Sequence, residues 1–418
     1  VFAAACGADG DAGSDGLDGT LRVLGLRTDL ADPVKAAAQR DLPFRINFDV
    51  TTAAGLIERA VERPGSFDVL SGYCADVERL VAARAVAGLS GSRIHRWPEM
   101  DPVYTRGTVS GESERCSTAE GRMPSSVLYA ASVGPEASLA APETAGTASQ
   151  PPALTGAPST FSVESFGYDR NTLALEPDRA SWGELLNESF RGRVAVVDDP
   201  VDGLQETGLA ARALGLVHIR TLGNPTRQEV DGLVSALSDL RRKGHFRAFW
   251  SSFDESVELM AAGDVVVGSL SPPATVLLQT AGYHVRSAAP PEGYRGWAGL
   301  LFGSSSAASS PARLQAVHDY VDWWHSGVPG AILMRHGYYN AAMTASRAVV
   351  SREEWDYWIE GRPAAAPLAS AFGPGSIAEG RVRDGGSMLR RACRVAVWRS
   401  RFDEQEHAES RWRELVTG

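Results

Sequence analysis

Apolar and polar positions in this chain repeat with a period that switches between that of a strand and that of a helix. Residues 21–24 form a short apolar run that reads as a strand, and Asp32 before Pro33 opens a helix. Apolar residues then alternate over 44–50, Thr52 caps a helix running to Glu62, and 67–71 is the next strand. The clearest stretch is 181–215. Ser181 and Glu184 have the spacing of a capping box, Trp182, Leu185 and Leu186 supply an apolar stripe, and Gly192 ends the predicted helix. The run 194–197 is a buried strand ending in Asp198 and Asp199, and Pro200 opens a second helix. A second α/β set follows, with the capping pair Thr226 and Glu229, the stripe Val230, Leu233, Val234 and Leu237, and strands over 246–250 and 265–270. Ligands of open α/β sheets bind at the carboxyl ends of strands, which puts the acidic pair at a binding edge. The intervening 97–160 is rich in Ser, Ala, Gly and Pro, and 138–158 has almost no periodic signal; it reads as a surface loop near a cleft mouth or as a mobile insertion.

Composition narrows the function classes. With 418 residues, a formal net charge of −10 and 44% hydrophobic residues, the chain can bury one or two sizeable cores. It has no basic stripe to pair with phosphates, so nucleic-acid binding is disfavoured. No run approaches the roughly 18 apolar residues of a membrane span. The opening VFAAAC reads as the tail of an export signal. Small residues run into Cys6 as in a bacterial lipobox, though Ala3 stands where Leu is usual, and the Gly/Asp-rich linker behind Cys6 suits a flexible tether. Cys74, Cys116 and Cys393 lack CxxC spacing; buried free thiols are the expectation, with one disulfide involving Cys116 as the alternative. The histidines form no HxH or HExxH pair and no GxSxG elbow occurs, so no local metal or hydrolase motif stands out.

Several segments, in their order, resemble the solute-binding proteins of ABC importers related to the spermidine/putrescine-binding proteins. They are GTLRVLGLRTDL at Gly19, FDVLSGYCADVERLV at Phe67, VESFGYDRNTL at Val163, SW-x-x-L then F-x-G-x-V and a strand ending in DD from Ser181, SFDESVELMAAGDVVVGSL at Ser252, EGYRGWAGLLFG at Glu292 and HGYYNAA at His336. The C-terminal third, with EEWDYWIEGRPA at Glu353, VRDGGS at Val382 and VAVW at Val395, looks like a subgroup of that family. The resemblance implies a two-lobed type II periplasmic-binding-protein fold, α/β, with a central cleft and hinge crossings. The expected division is a signal remnant and linker over 1–19, a first lobe of 20–164 with 296–345, and a second of 165–295 with 346–418.

The function implied is capture of a small organic, cationic, polyamine-like solute and its delivery to ABC permease subunits. The protein would be an exported monomer on the extracytoplasmic face, anchored through a lipid on Cys6, without a cofactor. By resemblance Asp199 and Asp202 match acidic residues that hold an amine, while Trp297 and Tyr338 match ligand-facing aromatics. Tyr73 and Tyr168 lie near strand ends, and Ser271 stands where the polyamine binders place Trp. Carboxylates accept charge-assisted hydrogen bonds from an ammonium group, and aromatic faces attract it. Asp199 is equally accounted for as the N-cap before Pro200, and each aromatic as a core or hinge residue. The chain also departs from the polyamine binders: Leu26 and Asp29 replace aromatics and Gly299 replaces an Asp, which argues against a long diamine held at both ends. Adjacent Tyr338 and Tyr339 leave a ferric-ion receptor of the same fold as an alternative, and a hydrolase assembled from distant loops is another.

Overall fold

The computed structural model describes residues 19–109, 116, 119–129 and 153–418. Cys6 and its linker, and the stretch 130–152, lie outside them. Two sheets organise the chain. The first runs Tyr339–Asn340, Ala157–Glu164, Tyr294–Ser304, Val69–Tyr73, Leu21–Leu26, Ile46–Thr51, and both Val395–Trp398 and Val86–Ala87 also pair with Tyr294–Ser304. The second runs Val285–Ser287, Phe166–Asp169, Val267–Ser269, Val194–Val197, Phe246–Trp250. Leu21–Leu26 is parallel to both neighbours, while Tyr294–Ser304, buried along its whole length, is antiparallel to Ala157–Glu164 and Val69–Tyr73.

Helices fill the crossovers where the sequence signals them. Thr52 accepts from the Gly55 amide at the start of Ala53–Glu62, and Thr226 with Glu229 forms a complete capping box before Arg227–Arg242. The stretch after Ser181 differs from expectation. It forms two 3₁₀ turns, Trp182–Leu186 and Glu188–Phe190, rather than an α-helix. The Ser181 hydroxyl accepts from Gly183 and donates to Glu292, and the Glu184 carboxylate accepts from Asn187, so the reciprocal box does not close.

The chain passes between the sheets at three places: between Glu164 and Phe166, between Ser287 and Tyr294, and between Trp398 and Phe402. Each lobe is therefore assembled from separate stretches of sequence. The tail divides instead of passing as a whole to the second lobe. Trp355, Tyr357, Trp358, Leu368 and Ile377 join the core of the first sheet, while Phe402, Ala408, Trp412 and Leu415 join that of the second. An amphipathic pattern such as EEWDYWI states that a face will be buried but not against which lobe.

Free thiols at all three cysteines of the body are corrected as well. Cys116 and Cys393 form a disulfide with a Cα separation of 4.4 Å, and only Cys74 is a buried free thiol among the described residues. Near that bond, Glu120 runs beside the strand Val395–Trp398, which leads into the third crossing. There the Glu120 amide donates to Ala396, the Trp398 amide donates to Glu120, and the Glu120 carboxylate pairs with Arg212 of the second lobe. A disulfide closing so long a loop removes conformational freedom from the unfolded chain.

Candidate functional site

The acidic edge of the second sheet is built by local backbone chemistry. Asp199 is the N-cap of Pro200–Ala213, its Oδ1 accepting from the Val201 and Asp202 amides at 3.0 and 2.9 Å, while Pro200 has no amide hydrogen to satisfy. Asp199, Asp202 and Glu206 fall at helical spacings of three and four and share one face. Gly203 on the same helix lets the Trp412 indole approach so closely that a Cβ would stand 2.2 Å from it. That indole donates to Asp198 at 3.0 Å, so the C-terminal helix Gln405–Thr417 pins the strand end in place.

Each crossing between the lobes carries one charged residue to that acidic face. Glu164 opens the first, Arg295 follows directly on the second and Arg399 lies in the third. Arg295, with its side chain 4% exposed, pairs with three carboxylates: Asp202 at 2.9 Å, Glu206 at 3.2 Å, and Glu164. Arg399 holds Asp199 through two parallel bonds of 2.9 and 3.1 Å, also pairs with Asp202, and lies over the Tyr73 ring at 4.6 Å. The acidic pair is thus already engaged and does not face Trp297 as two free carboxylates. Burial favours the neutral Asp199 carboxyl, yet the Arg399 guanidinium and the Asp202 amide hold it below the usual range. Glu206 goes the other way. Burial pushes it up to about 7, although Arg295 and the donated Ser269 hydroxyl pull it down.

Above this charged floor stand aromatic walls. Tyr73, Trp297 and Tyr338 meet edge to face, with successive ring centroids 5.4 Å apart, and the Trp297 indole donates to Glu164 at 2.6 Å. Trp250 and Phe253 contribute from the second lobe. Together these residues enclose a cavity of about 400 Å³ between the lobes, within the size range of small-molecule sites. Asp199, Asp202, Trp297, Tyr338, Tyr73 and Ser271 all line it. Ser271 opens the helix Pro272–Thr280 with its hydroxyl beside Tyr338. Tyr168 does not line it. Its ring is buried against Phe166 in the second core and its hydroxyl donates to the Leu175 carbonyl at 2.8 Å, because its strand Phe166–Asp169 runs away from the crossing. Asp29 lies one layer beneath the floor, accepting from Ser71 at 2.6 Å, and burial pushes its carboxyl up to about 6. Tyr339, the neighbour of Tyr338, points into the core, where Arg391 donates to its hydroxyl at 3.0 Å. The two phenols therefore diverge, and no cluster of three His, Cys, Asp or Glu side chains suited to a metal ion occurs among the described residues.

No family model and no curated protein matches the chain. Solved structures do. An ABC transporter substrate-binding protein from Bradyrhizobium japonicum USDA 110 superposes with a TM-score of 0.61 at 15% identity, covering 96% of this chain and 100% of that one. The spermidine/putrescine ABC transporter substrate-binding protein PotD from Streptococcus pneumoniae gives 0.57 at 12% identity over 95% and 97%. The GABA receptor Atu4243 gives 0.57 at 13% identity over 95% and 98%. The fold is that of the type II periplasmic binding proteins. Within that fold, the cavity lies where the two lobes meet at the hinge crossings.

Sequence reasoning missed Glu164, Glu206, Arg295 and Arg399. Three of them carried a legible signal. Arg295 interrupts the run Tyr294–Ser304, whose residues are otherwise apolar, small or hydroxylated, and Glu164 ends the fully buried Ala157–Glu164. A lone charge inside a buried strand requires a partner of opposite sign. Glu206 could have been found as the next member of the Asp199 and Asp202 face. Arg399, in a short irregular crossing among other arginines, carries no such mark.

Proposed function

We propose that the chain is the extracytoplasmic solute receptor of an ABC importer, capturing a small organic solute with a cationic amino group and delivering it to the permease. The observation that carries this reading is the charge count of the aromatic cleft. Among the described residues, the cations that Glu164, Asp199, Asp202 and Glu206 meet are Arg295 and Arg399. The residual charge is negative, and it sits beneath ring faces that attract cations. The solutes named for two neighbours, spermidine/putrescine and GABA, also carry amino groups. Lobes that close about hinge crossings bury such a solute, and opening releases it. No helix of the described residues is long and apolar enough to cross a membrane. In this reading a lipid on Cys6 anchors the protein, and fractionation of a Cys6→Ser precursor tests it.

A thermal-shift screen over amines, amino acids, carboxylates and sugars tests the proposal. Amines are expected to raise the melting temperature, and Trp297→Ala to weaken the best of them at least tenfold, as expected when a desolvated cation–π contact of about 2 kcal/mol is lost. Stabilisation by sugars or carboxylates alone would overturn the cationic reading.

A further inference from the structure

The cleft has a second chamber. A cavity of about 550 Å³ adjoins the one just described and shares Arg27, Thr28, Phe253 and Tyr338 with it. One wall is apolar, built from Leu30, Val50, Phe253, Pro273, Leu277 and Phe372, with the His336 ring edge-on to Phe372, while Arg27, Asp32, Lys35 and Asp254 also line the cavity. The charges at its rim cancel one another: Lys35 pairs with Asp32 at 2.6 Å, and Arg27 pairs with Asp254 across the lobes at 2.9 Å while lying over Phe253. The inner chamber therefore has an excess of carboxylate, whereas the outer one pairs an apolar wall with charges that neutralise one another. Phe372 reaches it from the tail. It lies between the paired strands Leu368–Ala369 and Ser376–Ile377, and stacks on Phe253 with centroids 6.4 Å apart and planes 22° from parallel. Ser370 shares a 2.9 Å hydrogen bond with Thr280, fixing this hairpin to the second lobe.

We infer that the outer chamber receives an uncharged apolar arm of the solute, so that the solute class is a monoamine with an alkyl or aryl arm rather than a diamine charged at both ends. The inference rests on the cationic reading of the inner chamber for the head group, and on the outer walls alone for the arm. Phe372 is then a specificity residue. A second ammonium at the far end of the solute would meet Leu277 and Phe372 with no free carboxylate to receive it, at a large desolvation cost. A phenyl or hexyl arm would instead bury its apolar surface there.

Calorimetric titration with ethylamine, hexylamine, 2-phenylethylamine, putrescine and 2-phenylethanol tests this. The long-armed monoamines are expected to bind at least tenfold more tightly than ethylamine or putrescine. Phe372→Ala should erase most of that advantage while changing ethylamine less than twofold. Val50, 41% exposed on the outer wall, supplies a second variant that leaves the core untouched. Val50→Asp should weaken the long-armed monoamines and strengthen putrescine, reversing their order. Arm-dependent binding of 2-phenylethanol as tight as that of the amine would keep the outer chamber and remove the cationic head. Equal affinities along the series, unchanged preference in both variants, or binding of none of the probes would overturn the proposal.

Discussion

Replacing Arg295 by Gln is expected to cost about 3–5 kcal/mol of folding stability, the range for stranding buried charges by removing their partner. The guanidinium is almost wholly buried and is shared by Glu164, Asp202 and Glu206. Without it Asp202 retains Arg399, Glu164 retains the Trp297 indole, and Glu206 retains only the Ser269 hydroxyl. Urea denaturation measures the loss, and the double variant Arg295→Gln/Glu206→Gln should recover part of it by removing the carboxylate with the fewest remaining partners. A cost below about 1 kcal/mol would mean that the cluster is solvated like a surface pair.

The second large effect is one of pH. Burial pushes the folded Glu206 carboxyl up to about 7 from its ordinary 4.5. Between those values the folded state retains a proton that the unfolded chain has lost, so stability falls as pH rises through this window and levels off above it. The full shift corresponds to about 3 kcal/mol. Asp29 and Asp76, both pushed by burial to about 6, add the same sign at lower pH. Glu206→Gln should therefore reduce the slope between about pH 4.5 and 7, leaving Asp29 and Asp76 as the remaining sources of slope below pH 6. Binding carries the opposite sign. A cationic solute favours the ionised carboxylate, so affinity should rise through pH 7 with proton release, measurable by titration in buffers of differing ionisation enthalpy.

Much of this arrangement was written in local pattern, and the rest depended on which segments meet. Asp199 reads as an N-cap from its place before Pro200, and the alternating strand and helix periods give both α/β sets. The order of motifs led to the fold and to six residues of the cleft wall. The interlobe ion cluster was hidden because its members lie as much as 235 positions apart, from Glu164 to Arg399, and no periodicity links a residue to a partner on another crossing. For the same reason Tyr168 was misplaced: nearness to a strand end does not say which end faces the cleft. Cys116 and Cys393, 277 positions apart, meet where Glu120 pairs with the strand Val395–Trp398, a pairing that no local pattern announces. Phe372 lies in a Gly- and Pro-containing loop whose sequence says turn and nothing of the chamber it walls.

The claim at the centre of this account is that the cleft selects a positive charge. Calorimetric titration of the wild-type protein with amines, each beside the alcohol of the same skeleton, tests it most directly, because size and apolar surface cancel within each pair. The ammonium member is expected to bind at least tenfold more tightly in every pair that binds at all. Equal or tighter binding by the alcohols would contradict it.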